Sequence, residues 1–253
     1  MIKTNKSLIH TGKIVLACLV LVVLIGFVEK KHHTKSSLDM DISILNQNGN
    51  LFISREDIQE LASGTQEIIG QNISEGELHE MEQRLLSHQY IEQAQVFKNL
   101  KGKLVVQVTQ STPIARLLRP QKPDAYISKE GNILATSEKF SARVPLVSGS
   151  YADQLIEEGR QVPNEAHQIL TLLQFIDEDD FWKAQIAQLD IDETGKIVLY
   201  PQVGKQYIEF GNADDMSSKF QRLEVFYKKI LPKEGWNKYT RVNVQYRDQI
   251  ICE

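Results

Sequence analysis

Residues 90–115 read YIEQAQVFKNLKGKLVVQVTQSTPIA, and the fold turns on them. Apolar and polar side chains alternate from Ile91 to Lys98 and again from Leu104 to Thr109, with turn chemistry at Lys101-Gly102. Period-2 alternation on both sides of a glycine turn predicts two half-buried strands in a hairpin. Upstream, Asp41-Ile42-Ser43-Ile44-Leu45 alternates in the same way and runs into Asn48-Gly49-Asn50, a strong turn. Ser54-x-x-Asp57 then resembles a capping box, followed by Ile58, Leu61 and Ala62 at helical spacing. A second box, Ser74-x-x-Glu77, opens a helix with Leu78, Met81, Leu85 and Leu86 on one stripe. The order β-α-α-β-β over residues 41–110 predicts a small sheet with two helices on one face.

Past Pro113 the texture changes. Strand-like pieces stand at Ile114–Leu118 and Ala125–Ser128, and a Glu130-Gly131-Asn132 turn leads into Ile133-Leu134. Pro145 interrupts the next piece. A helix is expected from Asn164, with Ala166, Ile169, Leu170, Leu173 and Ile176 inward. Gln185–Ile191, Lys196–Tyr200 and Gln206–Phe210 read as strands. Asp214 is placed to cap a last helix striped by Phe220, Leu223, Phe226, Tyr227 and Ile230, with Lys228 and Lys229 at its negative end. Tyr239–Tyr246 and Gln249–Glu253 finish as a pair of strands. The fold class is α+β throughout.

Ahead of this body lies IVLACLVLVVLIGFV, residues 14–28, fifteen residues without a charge. As a helix it spans roughly 22 Å, short of the ~30 Å hydrocarbon core. Leu8 and Ile9 extend it to about 21 residues if Lys13 snorkels to the headgroups. Glu29-Lys30-Lys31-His32-His33 follows without a small-x-small cleavage site, so an uncleaved single-pass anchor is expected rather than a signal peptide. Flanking lysines are nearly balanced on the two sides. A long C-terminal body crosses largely regardless of them, which favours an N-terminus inside and a body outside the cytoplasm. The expected organisation is a tail (1–13), an anchor (14–28), a polar tether (29–39), a first domain (40–112) and a sheet-rich second domain with two helices (113–253).

Charge and motif content narrow the chemistry. The chain carries 29 Lys and Arg against 33 Asp and Glu. Removing the three lysines of residues 1–28 leaves 26 bases against 33 acids, a net of −7. Such a body lacks the cationic field that draws a protein onto nucleic acid. Two cysteines, Cys18 and Cys252, provide neither a disulfide scaffold nor a four-cysteine zinc site. Asp177-Glu178-Asp179-Asp180 would fan around a helix axis instead of converging on one ion. Asp190-x-Asp192 shares a strand face but runs into a Thr194-Gly195 turn, as a hairpin mouth would. His32, His33, His79, His88 and His167 are scattered, and no nucleophile elbow, zinc helix or phosphate loop is present. Catalysis, a cofactor, a metal and a small-molecule substrate are not expected.

Several blocks taken in order carry a resemblance. They are Tyr90-Ile91-x-x-Ala94-x-Val96, Leu104-x-Val106-x-Val108 and Thr112-Pro113-Ile114-Ala115, then Tyr126-Ile127-Ser128-x-x-Gly131-x-Ile133, Val144-Pro145-Leu146-Val147-Ser148-Gly149 and Arg241-Val242-Asn243-Val244-Gln245-Tyr246. Together they resemble the FtsQ/DivIB family of bacterial division proteins, in which a POTRA domain is followed by a β-domain. The chain departs from the family pattern at Phe97, Leu100-Lys101, Gln110, Ser128, Asn243 and Gln245.

The resemblance implies a non-catalytic divisome scaffold that recruits and links division proteins at the septum. It implies partners of FtsB/FtsL type, received on the final strands, and a bilayer holding residues 14–28. The cell (inner) membrane is the implied location, with the body periplasmic or extracytoplasmic. Tyr246, Gln249, Ile250, Ile251 and Cys252 are the expected partner-binding residues. Two other classes stay open from residues alone: a membrane-anchored extracytoplasmic hydrolase, and a POTRA-bearing transport or sensory subunit.

Overall fold

A computed structural model describes residues 40–46, 52–64, 73–100, 102–156 and 161–253. The tail, anchor and tether expected over residues 1–39, the Asn48-Gly49-Asn50 turn and Lys101 lie outside the described residues. Among the described residues, no helix is long and apolar enough to cross a membrane. The chain divides into two compact units. Of the described residues, one takes those of Met40–Ser43, Glu56–Leu85 and Gln95–Gln107; the other takes those of Ile44–Arg55, Leu86–Ala94 and Val108–Glu253.

The order expected for the first half is present: β1 (Met40–Ile44), α1 (Arg55–Ser63), α2 (Glu75–Leu86), β2 (Ile91–Lys98) and β3 (Leu104–Gln110), with strand order β1-β3-β2. Helix α2 starts where the capping box places it. Ser74 N–H donates to Glu77 Oε2 at 2.6 Å, and Glu77 N–H reaches Ser74 Oγ at 3.4 Å. Met81 and Leu85 are buried, but Leu86, expected on the same stripe, is exposed. It sits about 100° around the helix from Leu85, off the buried face. At the edge strand β2, Glu82 Oε1 accepts the Val96 N–H at 2.8 Å, so a helix side chain occupies one edge donor. Arg84 of α2 ties off the end of α1 by donating to the Ala62 carbonyl at 2.6 Å.

In the second unit nine strands form one sheet: β4 (Pro113–Leu117), β5 (Ala125–Ser128), β6 (Ile133–Ala135), β7 (Leu146–Ser148), β8 (Ile186–Ile191), β9 (Ile197–Pro201), β10 (Tyr207–Gly211), β11 (Arg241–Asn243) and β12 (Ile251–Cys252). Their order is β12-β11-β10-β9-β8-β7-β4-β5-β6. Three pairs are parallel, β4 with β7, β7 with β8 and β10 with β11; the rest are antiparallel. One face of the sheet buries Leu117, Ile127, Val147, Leu189, Leu199, Ile208 and Val242. In the same core lie Leu173 and Ile176 of α3 (His167–Glu178), Trp182 of α4 (Asp180–Gln185) and Phe220 and Leu223 of α5 (Met216–Val225). A smaller cluster joins Phe52 and Tyr90 to Tyr126 and Leu134; Phe52 stacks on Tyr90 at 4.8 Å between ring centroids.

The structure corrects several expectations. Helix α4 was not foreseen, because its Asp179 belongs to the acidic run read as a surface. Its carboxylate accepts the N–H groups of Phe181 at 2.9 Å and Trp182 at 3.1 Å, a side-chain N-cap. Asp214 does not cap α5. Asp215 stands at that position with φ 44° and no side-chain cap, while Asp214 accepts from the buried Lys219 ammonium at 2.5 Å. That bond holds the Asp214 carboxyl below its usual range. The last helix passes through a π turn, Phe226–Ile230, into a short α6 (Leu231–Glu234). The final strands are shorter than the alternation suggested.

Gly149, in the Pro-Leu block, has φ 98°, and a Cβ there would meet the Ile191 carbonyl oxygen at 2.1 Å. That contact is with backbone, which cannot rotate away. Gly149→Ala is expected to destabilise the protein by about 2–4 kcal/mol, measured as a lower denaturant midpoint with an unchanged slope.

Candidate functional site

Every strand at the border of a sheet leaves one row of N–H and C=O groups without a ladder partner. At the β6 border that row is occupied. Tyr90 Oη donates to the Ala135 carbonyl at 2.8 Å, and Ala135 N–H donates to Gln89 Oε1 at 2.9 Å. Asn132 bridges Gln161 beside them, and Val162 N–H reaches the Gly131 carbonyl. At the other border stands β12. Among the described residues it has β11 on one side and no strand beyond it.

Register decides which groups of β12 face outward. Arg241 and Glu253 exchange both ladder bonds, at 3.0 and 2.9 Å. In an antiparallel pair such residues alternate with pairs whose polar groups turn away. Val242 faces Cys252 and Asn243 faces Ile251, so Ile251 turns its N–H and C=O toward β11 while Cys252 turns both to the open side. Side chains alternate too. Ile250 and Cys252 pack against the core, and Ile251 lies on the opposite face with Asn243. Burial pushes the Cys252 thiol up, keeping it protonated at neutral pH. Gln249 is exposed, and Tyr246 is 53% exposed in the turn whose Asp248 adopts φ 59°. The five residues expected to bind a partner thus share one border of the sheet, but only Cys252 of the β12 pair offers outward backbone groups.

Sequence reasoning missed what holds this border in place. Arg241 makes a forked pair with Glu209 of β10, at 2.8 and 2.9 Å, and its third nitrogen reaches Glu253 Oε2 at 2.8 Å. Asn243 Nδ2 adds a bond to Glu209 at 2.5 Å, and its Oδ1 accepts the Gln245 N–H at 2.9 Å. The available signal was the Arg-x-Asn alternation of residues 241–243, but its glutamate partner lies 32 residues earlier and the pairing of β10 with β11 is not written locally. The Asn243 amide donates where a carboxylate would repel Glu209.

The acidic groups weighed as metal or catalytic candidates have separate partners. Asp190 accepts from Ser148 Oγ at 2.5 Å. Asp192 gathers Thr194 Oγ1 and the N–H groups of Thr194 and Lys196 at 2.7–3.0 Å, and its carboxyl is lowered chiefly by the Thr194 hydroxyl. Asp177 pairs with Lys183, Glu178 with Lys129, and Asp179 caps α4. Among the described residues no three His, Cys, Asp or Glu side chains stand together as a metal site would need.

Residues 112–253 match the family model described as FtsQ/DivIB, C-terminal related. The chain belongs to this family. Residues 36–109 match a POTRA-like domain, so the small sheet with its two helices and the large sheet correspond to the two halves expected of FtsQ/DivIB proteins. The chain is also 27% identical over 182 residues to the Cell division protein FtsQ of Syntrophotalea carbinolica. That alignment covers 70% of this chain and 63% of the relative, less than two thirds of its length.

Glu209 is held below the usual carboxylate range, first by its hydrogen bonds from Arg241 and then by that guanidinium's charge and by Asn243. A carboxyl lowered in the folded state contributes stability above its ordinary pKa of 4.5 and loses it as pH falls through the lowered value. The stability difference between wild type and Glu209→Gln is therefore expected to hold from pH 7 to 5 and to shrink below about pH 4. Denaturant titrations of both proteins across that range check it; a difference that persists undiminished at acid pH would remove Glu209 from the border's support.

Proposed function

We propose that this protein is a non-catalytic, single-pass scaffold of the bacterial division machinery that receives a partner strand on its β12 border. Family membership and the name of the Syntrophotalea carbinolica relative support the division role. The observation that carries the binding mode is the contrast between the two borders of the nine-stranded sheet. One is filled by Gln89 and Tyr90, and the other presents Cys252 with its backbone outward. An extended peptide added there would take main-chain hydrogen bonds from Cys252 and from the segment before it, with Tyr246 as an exposed aromatic contact. The resemblance gives the partner class, a coiled-coil pair of FtsB/FtsL type.

In this reading residues 14–28 anchor the chain in the cell membrane, and the 29–39 tether leads to a POTRA-like domain over 40–112. The β-domain, 113–253, carries the recruiting border outside the cytoplasm. Strand addition of this kind needs no cofactor, substrate or nucleic acid.

The test is co-purification of the full chain with an FtsB/FtsL-type pair from the same organism. Ile251→Pro would cut the β11–β12 ladder and damage the border itself. Cys252→Pro removes an outward N–H and leaves the ladder bonds, as edge strands tolerate. One backbone bond is worth about 0.5–1.5 kcal/mol, so roughly a tenfold loss of affinity is expected for Cys252→Pro. Tyr246→Ala is expected to cost a similar factor through lost contact area. Melting temperatures near wild type confirm that both variants fold. Unchanged binding by both folded variants would move the recruiting surface elsewhere.

A further inference from the structure

Strand direction brings three loops to one end of the nine-stranded sheet. β7 and β8 are parallel, and β10 runs with β8 because both pair antiparallel with β9. The carboxyl ends of β7, β8 and β10 therefore share that end, and the first turn of α3 joins them in enclosing a cleft. Its volume is about 440 Å³, and its walls are Tyr151 after β7, Glu193 after β8, Asn212 and Asp214 after β10, and Gln168 and Ile169 of α3. Small-ligand sites occupy roughly 300–1,000 Å³, and all the residues of this one belong to the second unit.

Each wall is tied down from within. Tyr151 N–H donates to the Ile191 carbonyl at 3.2 Å. Asp192 gathers the turn that carries Glu193 through the N–H groups of Thr194 and Lys196. The buried Lys219 ammonium donates to the Asn212 carbonyl at 2.8 Å and to Asp214 at 2.5 Å. Gln168, Glu193 and Asn212 are exposed, and their side chains take no hydrogen-bond partner among the described residues. A fixed frame bearing uncommitted polar groups loses little freedom when a ligand arrives.

The lining selects a chemical class. It contains no lysine, arginine or histidine, so an anion would meet no counter-charge there. Asp214 is already paired with Lys219, which leaves Glu193 alone to offer charge, too little for a divalent ion or a polycation. Ile169 and Ala213, its aliphatic members, are buried and give a lipid chain no surface. What remains is a set of carboxamides, a carboxylate and a hydroxyl beside the half-buried Tyr151 ring. Carboxamides offer a donor and an acceptor side by side, which matches neighbouring hydroxyl and amide groups on one ligand, and the ring adds a flat apolar surface. We propose that this cleft binds a short neutral glycan bearing hydroxyl and acetamido groups, held by Gln168, Asn212 and Glu193 against Tyr151. It is a binding site distinct from the β12 border and uses none of that border's residues.

The test is saturation-transfer NMR on the full chain, in a detergent without a sugar headgroup, with two probes. One is the tetramer of N-acetylglucosamine; the other is its deacetylated form, which carries an ammonium on each ring. The acetylated tetramer is expected to bind with a Kd of about 1 mM or tighter, unchanged by added salt because no ion pair is involved. Gln168→Ala and Asn212→Ala are each expected to weaken it roughly three- to tenfold, the worth of a hydrogen bond or two. Absence of transfer from the acetylated tetramer would overturn the site. Binding by the deacetylated tetramer alone, lost in salt and in Glu193→Gln, would make the cleft a cation site and overturn the glycan. Transfer that persists undiminished in both folded variants would place the glycan elsewhere and overturn the assignment to this cleft. If Asn212→Ala melts below wild type, Gln168→Ala, an exposed position on α3, decides the matter. Co-purification of the same variants with the division partners reads the β12 border separately, so failure of one site is distinguishable from failure of the other.

Discussion

The second unit is organised by the need of a sheet border for hydrogen-bond partners. Backbone N–H and C=O groups that find none are costly when buried and adhesive when exposed. This protein treats its two borders differently. At β6, Gln89 and Tyr90 supply an amide oxygen and a phenol to Ala135, and the Tyr90 ring is stacked on Phe52. Residues on either side of β2's start are drawn into the larger unit by that contact, which is why Leu86–Ala94 groups with Val108–Glu253. At β12 nothing comparable arrives among the described residues. One border is closed by two directed side-chain contacts, and the other keeps its outer row of backbone groups outside any ladder among the described residues.

Much of this was legible from short-range pattern. β2 begins and ends where alternation places it, Ile91–Lys98, and β5 likewise at Ala125–Ser128. The Ser74-x-x-Glu77 box starts its helix as written. These signals are local, set by side-chain period or by a cap three residues away. The misreadings occur where two local readings compete. Asp179 belongs both to an acidic run and to a cap, and packing of Trp182 against Phe220 at 4.8 Å settles it as a cap. Asp214 and Asp215 are adjacent candidates, and the buried Lys219 takes the first, leaving the second at the helix start in a left-handed conformation. Tyr239–Tyr246 alternates for eight residues, yet only Arg241–Asn243 pairs on both sides as strand. Beyond them Arg222 binds the Val244 carbonyl at 2.9 Å and the chain turns at Asp248.

Strand order was not legible, and it is what makes the candidate site. Five exposed or half-buried residues near a C-terminus are a weak signal by themselves. Their meaning depends on β12 lying at the border and on which of its groups face out. Both follow from partners 8 to 34 residues distant along the chain, Asn243 with Ile251 and Glu209 with Asn243 among them. The same non-local pairing converts Arg241, Asn243 and Glu209 from three unremarkable polar residues into one connected group.

That group resolves a tension in the border strand. A strand of two residues makes few ladder bonds and would fray alone, whereas a long exposed strand would invite pairing between copies of the chain. Here side chains substitute for strand length. Arg241 bonds Glu209 on one neighbouring strand and Glu253 beside β12 on the other, so three strands are tied across their open face by one guanidinium. Glu253 is held by three more bonds through its backbone, two with Arg241 and one from Thr240. Charge-assisted, forked bonds are the strongest of the ordinary polar contacts, and these lie on the sheet face, leaving the row of backbone groups at Cys252 untouched. The two residues of β12 are thereby attached through their inner row and the neighbouring side chains, while the Cys252 backbone groups stay outside the ladder.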